Sequence, residues 1–342
     1  MKVAIGYEVV EGPWGGGNRF VSALSKELLN NGHAVVHSLL ADDIDVILMI
    51  DPRSRISNIP FGAGEILRYL QQRNPRAVVV HRINECDERK GTHTVNFRLR
   101  LANYVADHTV FVGSWLRELN VWSQAEDHET STILNGADPM IFHSRGYRVW
   151  DGKEPLKLVT HHWGGNWMKG FDVYQKIDAM LELPEWKDLI QFSYIGNTPS
   201  GFQFKNAQLL APLDSEPLAE ELRRHHVYVT ASINEPGGNH QNEGALCGLP
   251  LLYRNSGSMP EYCNGFGLMF DGLEDFENKL QQMLIEYPTW QARINDYPHK
   301  LEHTIGKYIC VLSDLHTRRA EITAKRRLWR NPMFFLMNQV GI

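Results

Sequence analysis

Glu235 and Glu243 stand eight positions apart in the run Glu235-Pro236-Gly237-Gly238-Asn239-His240-Gln241-Asn242-Glu243-Gly244-Ala245, just beyond a β-like stretch from Val227 to Ser232. A strand end that passes through glycines into a helix start offers unpaired backbone N–H groups and a positive dipole end, which suit a phosphate. An ionised carboxylate has two acceptor oxygens and no donor, so it suits the vicinal hydroxyls of a sugar. Phosphate-binding backbone beside hydroxyl-binding carboxylates describes a pocket for a nucleotide sugar. Taken alone, two such acids would be solvated surface residues, so the reading depends on the surrounding chain.

That chain alternates short β-branched runs with amphipathic segments. Strands are predicted over 2–6, 34–38, 45–51, 76–81 and 108–113, and helices over 18–30, 64–73 and 95–105. Phe20, Leu24 and Leu28 share one face of the first helix, and Asn31-Gly32 stops it. A polar stretch, 145–155, reads as a linker, after which the pattern restarts with strands at 156–161, 190–195 and 227–232 and helices at 170–181 and 218–225. The fold class is α/β, with two Rossmann-like, doubly wound parallel-sheet domains, 1–150 and 151–315. Ligands of such sheets bind at the carboxyl ends of strands, so the active site is expected in a cleft between the domains. The segment 316–342 is expected to be a terminal helix that returns to the first domain.

Composition excludes several classes. At 342 residues, 43% of them hydrophobic, the chain can fill two cores. A net charge of −5 is not the footprint of a nucleic-acid binder. Cys86, Cys247, Cys263 and Cys310 form no Cys-x-x-Cys and read as reduced thiols in a cytosol. The opening Lys2-Val3-Ala4-Ile5-Gly6 is too short for a signal peptide, and no later run reaches transmembrane length. Localisation is therefore expected to be cytoplasmic. The basic stretch from Arg318 to Arg330, followed by Met333, Phe334, Phe335, Leu336 and Met337, suits either a helix packed on the first domain or peripheral contact with the inner membrane face. No Gly-x-Ser-x-Gly or His-Glu-x-x-His occurs, and the glycines at 15–17 lack dinucleotide or P-loop spacing.

The Glu pair, followed by Gly244-Ala245 and Gly248-Leu249-Pro250-Leu251, resembles the motif of retaining glycosyltransferases of the GT-B fold, particularly family 4. Further family landmarks follow in the expected order: Gly15-Gly16-Gly17, Asn135-Gly136-Ala137-Asp138, Lys169-Gly170-Phe171-Asp172, Gly257-Ser258-Met259-Pro260-Glu261 and Gly265-Phe266-Gly267. The resemblance implies transfer of a sugar from a UDP- or GDP-sugar to a hydroxyl of a glycan, lipid-linked or other small acceptor, the acceptor sitting on the first domain. It implies that Glu243 holds the donor ribose and Glu235 the transferred sugar, with Gly237, Gly238 and Asn239 facing the sugar and diphosphate. Lys169 would neutralise that diphosphate, Gly15, Gly16 and Gly17 would lie under it, and His81 would contact the donor sugar near Arg82. No cofactor and no metal are expected; Asp43-Ile44-Asp45 resembles the Asp-x-Asp of metal-dependent transferases but belongs to a different fold.

The chain departs from the family twice. Gly237 stands where an aromatic is common, and Trp163 and Gly164 stand where an arginine usually supports the lysine. His162, Asn166 or Arg82 is expected to take over that arginine's role, since imidazole donates in either charge state. Trp14, Trp163 and Trp167 could stack on a sugar or pack in a core. A nucleotide-sugar 2-epimerase of the same fold and a non-catalytic nucleotide-sugar-binding protein stand as alternatives.

Overall fold

The computed structural model describes residues 1–10, 16–52, 57–123 and 129–340. The chain forms two compact units, Met1–Leu134 with Glu302–Ile342, and Asn135–Leu301. These divisions differ from the expected 150/151 and 315/316: residues 135–155 belong to the second unit and the helix Leu301–Thr317 almost wholly to the first.

The first unit is built on strands β1 (Lys2–Ile5), β2 (Ala34–Val36), β3 (Val46–Met49), β4 (Val78–Ile83), β5 (His108–Phe111) and β6 (Glu129–Thr132), ordered β2-β1-β3-β4-β5-β6 and all parallel. Every residue of β3 and β4 is buried, as parallel strands covered on both faces require. The helix Gly16–Asn30 buries Phe20, Val21, Leu24 and Leu28. The core also takes Phe334 and Phe335 from the helix Pro332–Val340, each adding about 2–3 kcal/mol of apolar burial. That helix lies so close to the helix Ala63–Gln72 that a Cβ on Gly64 would stand 2.5 Å from the Asn338 carbonyl. Arg326, its side chain only 6% exposed, binds the Asp107 carboxylate and the Ala77 carbonyl at the foot of the sheet.

The second unit holds β7 (Leu156–His162), β8 (Ile190–Gly196), β9 (Gln208–Leu210), β10 (Val227–Thr230), β11 (Leu251–Arg254) and β12 (Gly267–Phe270), in the order β12-β11-β10-β7-β8-β9. Its strands are also parallel. Strand order reverses between β7 and β10, which opens a crevice at their carboxyl ends. An aromatic-rich core packs against the sheet, with Phe171, Tyr174, Phe192 and Tyr194 joined by a chain of ring contacts. The helix Leu273–Ile294 closes it through Phe276, Leu280, Met283 and Tyr287. Among the described residues, no helix is long and apolar enough to cross a membrane.

Candidate functional site

The reversal point of the second sheet gathers most of the chemistry. β7 ends on His161 and His162, and the chain then runs through Trp163-Gly164-Gly165 into a 3-10 turn, Trp167–Lys169. Asn166 caps that turn, its side-chain oxygen accepting from the Met168 N–H at 2.8 Å. Gly170 follows at φ +101°, and a Cβ there would meet the Ala231 Cβ at 2.4 Å. The Lys169 segment is therefore pressed against the end of β10, and the Ile233 N–H donates to the Met168 carbonyl at 2.8 Å. Arg254 secures the same junction from below, gripping both oxygens of Asp172 at 3.0 and 2.6 Å and the Ala231 carbonyl at 3.1 Å.

On the other side of that junction the chain turns sharply. Asn234 adopts the left-handed φ of +52°, with its N–H on the Ser256 hydroxyl at 2.8 Å. Gly257, at φ +59°, comes so near that a Cβ would stand 2.6 Å from the Glu235 backbone, and the Ser258 N–H donates to the Glu235 carbonyl. The Gly257-Ser258 landmark thus buttresses Glu235. The result is a side-chain contact between the two segments, with Lys169 Nζ 3.4 Å from Glu235 Oε2. Glu235 is buried, only 6% exposed, and the lysine is part-exposed.

Glu243 lies one turn into the helix His240–Leu246 and is also buried. His161 Nε2 stands 2.7 Å from its Oε2. His161 Nδ1 meets the Tyr228 hydroxyl at 3.0 Å, and burial keeps Tyr228 protonated far above its ordinary pKa. Tyr228 O–H therefore donates to Nδ1, which leaves the imidazole proton on Nε2, aimed at Glu243. Gly244 permits this packing, since a Cβ there would overlap the Tyr228 ring at 2.3 Å. His162 bonds the Tyr174 hydroxyl at 2.9 Å, and its ring lies 4.7 Å from that of His240, which bonds Thr230.

The backbone between the two glutamates is held by its carbonyls. Asn135 donates to the Gly237 carbonyl at 2.6 Å and Gln241 to the Gly238 carbonyl at 2.7 Å. Because a trans peptide sets N–H opposite C=O, these bonds aim the Gly238 and Asn239 amides the other way. Gly238 is needed for the fit, since a Cβ would stand 2.6 Å from the His240 ring.

Within the second unit, then, Lys169, Glu235, Gly237, Gly238, Asn239, Glu243, His162 and Asn166 assemble around one strand reversal. Asn166 spends its side-chain oxygen on its cap, and His162 a ring nitrogen on Tyr174. Trp163 and Trp167 are exposed, at 55% and 46%, beside this segment. The His161 contact was not anticipated from sequence, where the paired histidines read equally as strand-end packing.

His81, Arg82, Gly16 and Gly17 belong to the first unit; Gly15 and Trp14 lie outside the described residues. The strand expected to end at residue 81 runs two residues further. β4 continues to Ile83 because it pairs with β5 through His81↔Thr109, Arg82↔Val110 and Ile83↔Phe111. His81 is wholly buried with Asn103 at 3.1 Å, and Arg82 is buried with its guanidinium 4.6 Å above the Phe20 ring. The Asn18 side-chain amide bonds both the N–H and the carbonyl of Val10 at 2.9 Å. Asp43 and Asp45 are engaged with Lys2 and Arg319. Among the described residues no group of three His, Cys, Asp or Glu could hold a metal ion.

No protein-family model matches the chain, and no curated protein does. Solved structures do. HepE of Anabaena, in complex with UDP-glucose, superposes with a TM-score of 0.65 at 14% identity, over 92% of this chain and 100% of its own. Sucrose-phosphate synthase from Thermosynechococcus elongatus gives 0.62 at 16% identity, over 92% and 99%. The pneumococcal O-GlcNAc transferase GtfA, in complex with UDP and GlcNAc, gives 0.59 at 15%, over 88% and 61%. Two six-stranded parallel sheets flanked by helices, matched over nearly the whole chain to these structures, establish the fold as GT-B.

Proposed function

We propose that this protein is a retaining glycosyltransferase, moving a sugar from a UDP- or GDP-sugar to an acceptor hydroxyl. The observation that carries the reading is the 3.4 Å approach of Lys169 to Glu235, beside peptide amides turned outward by Asn135 and Gln241, at the strand reversal of the second sheet. An ammonium group, buried carboxylates and aimed amides suit a diphosphate joined to polyhydroxylated rings. Similarity to proteins crystallised with UDP-glucose, or with UDP and GlcNAc, supports the same ligand class.

In this reading Glu243, oriented by His161, accepts from the donor ribose hydroxyls, and Glu235 accepts from hydroxyls of the transferred sugar. The acceptor oxygen bonds the anomeric carbon on the face from which the diphosphate oxygen departs, so configuration is retained. A donor phosphate oxygen takes the acceptor proton. Lys169 and the Gly238 and Asn239 amides, rather than a metal ion, take up the charge that develops on the leaving diphosphate. The protein's work is orientation and neutralisation, with no side chain required as general base. The acceptor is a glycan, a lipid-linked saccharide or another small hydroxyl compound.

Incubation with a panel of UDP- and GDP-sugars, read as release of nucleoside diphosphate and as thermal shift, tests the assignment. Glu235→Ala should lower turnover on the order of 100-fold or more with an unchanged circular-dichroism spectrum. Near-normal turnover in that variant refutes the role. Trp163 and Gly164, where similar enzymes carry an arginine, favour a second reading, a donor-binding protein without transfer. Stabilisation by a nucleotide sugar with neither transfer nor hydrolysis would select it.

A further inference from the structure

The helix Pro332–Val340 has apolar side chains on both sides. Its inner side, Phe334, Phe335 and Asn338, is buried in the first unit. Its outer side presents Met333, Leu336 and Val340, with Trp329 just before it; these are 59%, 59%, 74% and 66% exposed. Met333, Leu336 and Val340 recur at helical spacing as one stripe, and Trp329, in the turn before the helix, stacks on Phe335 with ring centroids 4.0 Å apart. Phe97, 36% exposed and in edge contact with Phe334, extends the apolar surface.

The stripe borders a cationic hollow. A cavity of about 640 Å³ is lined by Arg318, Lys325, Arg326, Arg327 and Arg330 against Asp107, Glu129 and Glu321. Arg318 and Arg326 are held by Glu129 and Asp107, which fixes the wall of the hollow. Arg327 and Arg330 are exposed at its rim, and Arg330 is set by stacking on Tyr104 at 4.5 Å. The excess of positive charge is local, since the whole chain carries −5.

We propose that this face of the first unit docks on an anionic lipid bilayer, with Trp329, Met333, Leu336 and Val340 entering the interface and a lipid phosphate headgroup seated against Arg327 and Arg330. Exposed apolar area alone would fit any apolar partner; the cationic rim beside it selects a surface that is both oily and negative. Tryptophan is favoured at the headgroup level, where its ring is apolar and its N–H meets polar groups. The inner side stays packed on the unit, so the helix lies in the interface plane and does not cross it. The inference is independent of the sugar-transfer reading.

Co-sedimentation of the full-length protein with vesicles tests it, using phosphatidylcholine alone and phosphatidylcholine with phosphatidylglycerol. The wild type should pellet with the anionic vesicles, remain in solution with the neutral ones, and be released by raised salt. Arg327→Ala should weaken binding roughly fivefold, the worth of one surface cation. Leu336→Glu, at an exposed position, should abolish binding while the melting temperature holds. Wild-type protein that ignores anionic vesicles, or both variants binding like wild type, overturns the proposal. Light scattering that shows a dimer broken by Leu336→Glu, without vesicle binding, would overturn it in favour of a second copy of the chain. Binding of inorganic phosphate without vesicle binding would overturn it in favour of a free anion.

Discussion

Tyr228, His161 and Glu243 form a line of hydrogen bonds in which each group decides what the next can do. The hydroxyl fixes the tautomer, and the tautomer points its proton at the carboxylate. Replacing His161 by Leu leaves a buried carboxylate without that donor, and chemical denaturation should show a loss of about 1–3 kcal/mol in the second unit. Stability equal to wild type would mean that Glu243 does not depend on His161. Glu235, Glu243 and Lys169 were legible in the sequence because strand, glycine and helix signals surround them. The His161 contact was not, since it joins positions 82 apart and adjacent histidines at a strand end carry no pattern of their own. The end of β4 was misplaced for the opposite reason: polar residues suggested a strand end at 81, while Asn103 and the Phe20 ring supplied partners that let a central strand run on to Ile83.

Elements hold these residues through backbone contact more than through side-chain pairs. Gly170 joins the lysine turn to β10, and its left-handed φ and the 2.4 Å distance to Ala231 both exclude a side chain. Gly170→Ala should cost about 2–4 kcal/mol, the sum of backbone strain and overpacking. Gly152→Ala is the control, because Gly152 has φ +78° with nothing within 4 Å of a Cβ, and should cost only about 1–2 kcal/mol of backbone strain. Equal losses would remove the steric argument. At this scale the alternation of strands and helices through 156–232 was readable from apolar periodicity. β6 and β9 were not, being edge strands of polar or very short sequence, Glu129–Thr132 and Gln208–Leu210. β11 and β12 were hidden among glycine-rich turns whose residues carried the family landmarks instead.

Each unit contains a histidine that folding forces to stay neutral. Burial lowers His108 in the first unit and His226 in the second from 6.5 to about 4. The unfolded chain binds protons at these sites below pH 6.5 while the folded chain refuses them until about pH 4. Stability is therefore full above that window and falls with pH through it, on the order of 3 kcal/mol for His108. Denaturation midpoints measured from pH 7 to pH 4.5 should decline in both units; a flat profile would show that other groups compensate. The first unit is assembled from residues far apart in the chain, Met1–Leu134 and Glu302–Ile342, whereas the second is one continuous stretch. During synthesis the second unit can therefore complete its core while Phe334 and Phe335, which the first core needs, are still inside the ribosome. The earlier segment waits for the later one, and a chaperone guarding the nascent chain would find its apolar client in Met1–Leu134.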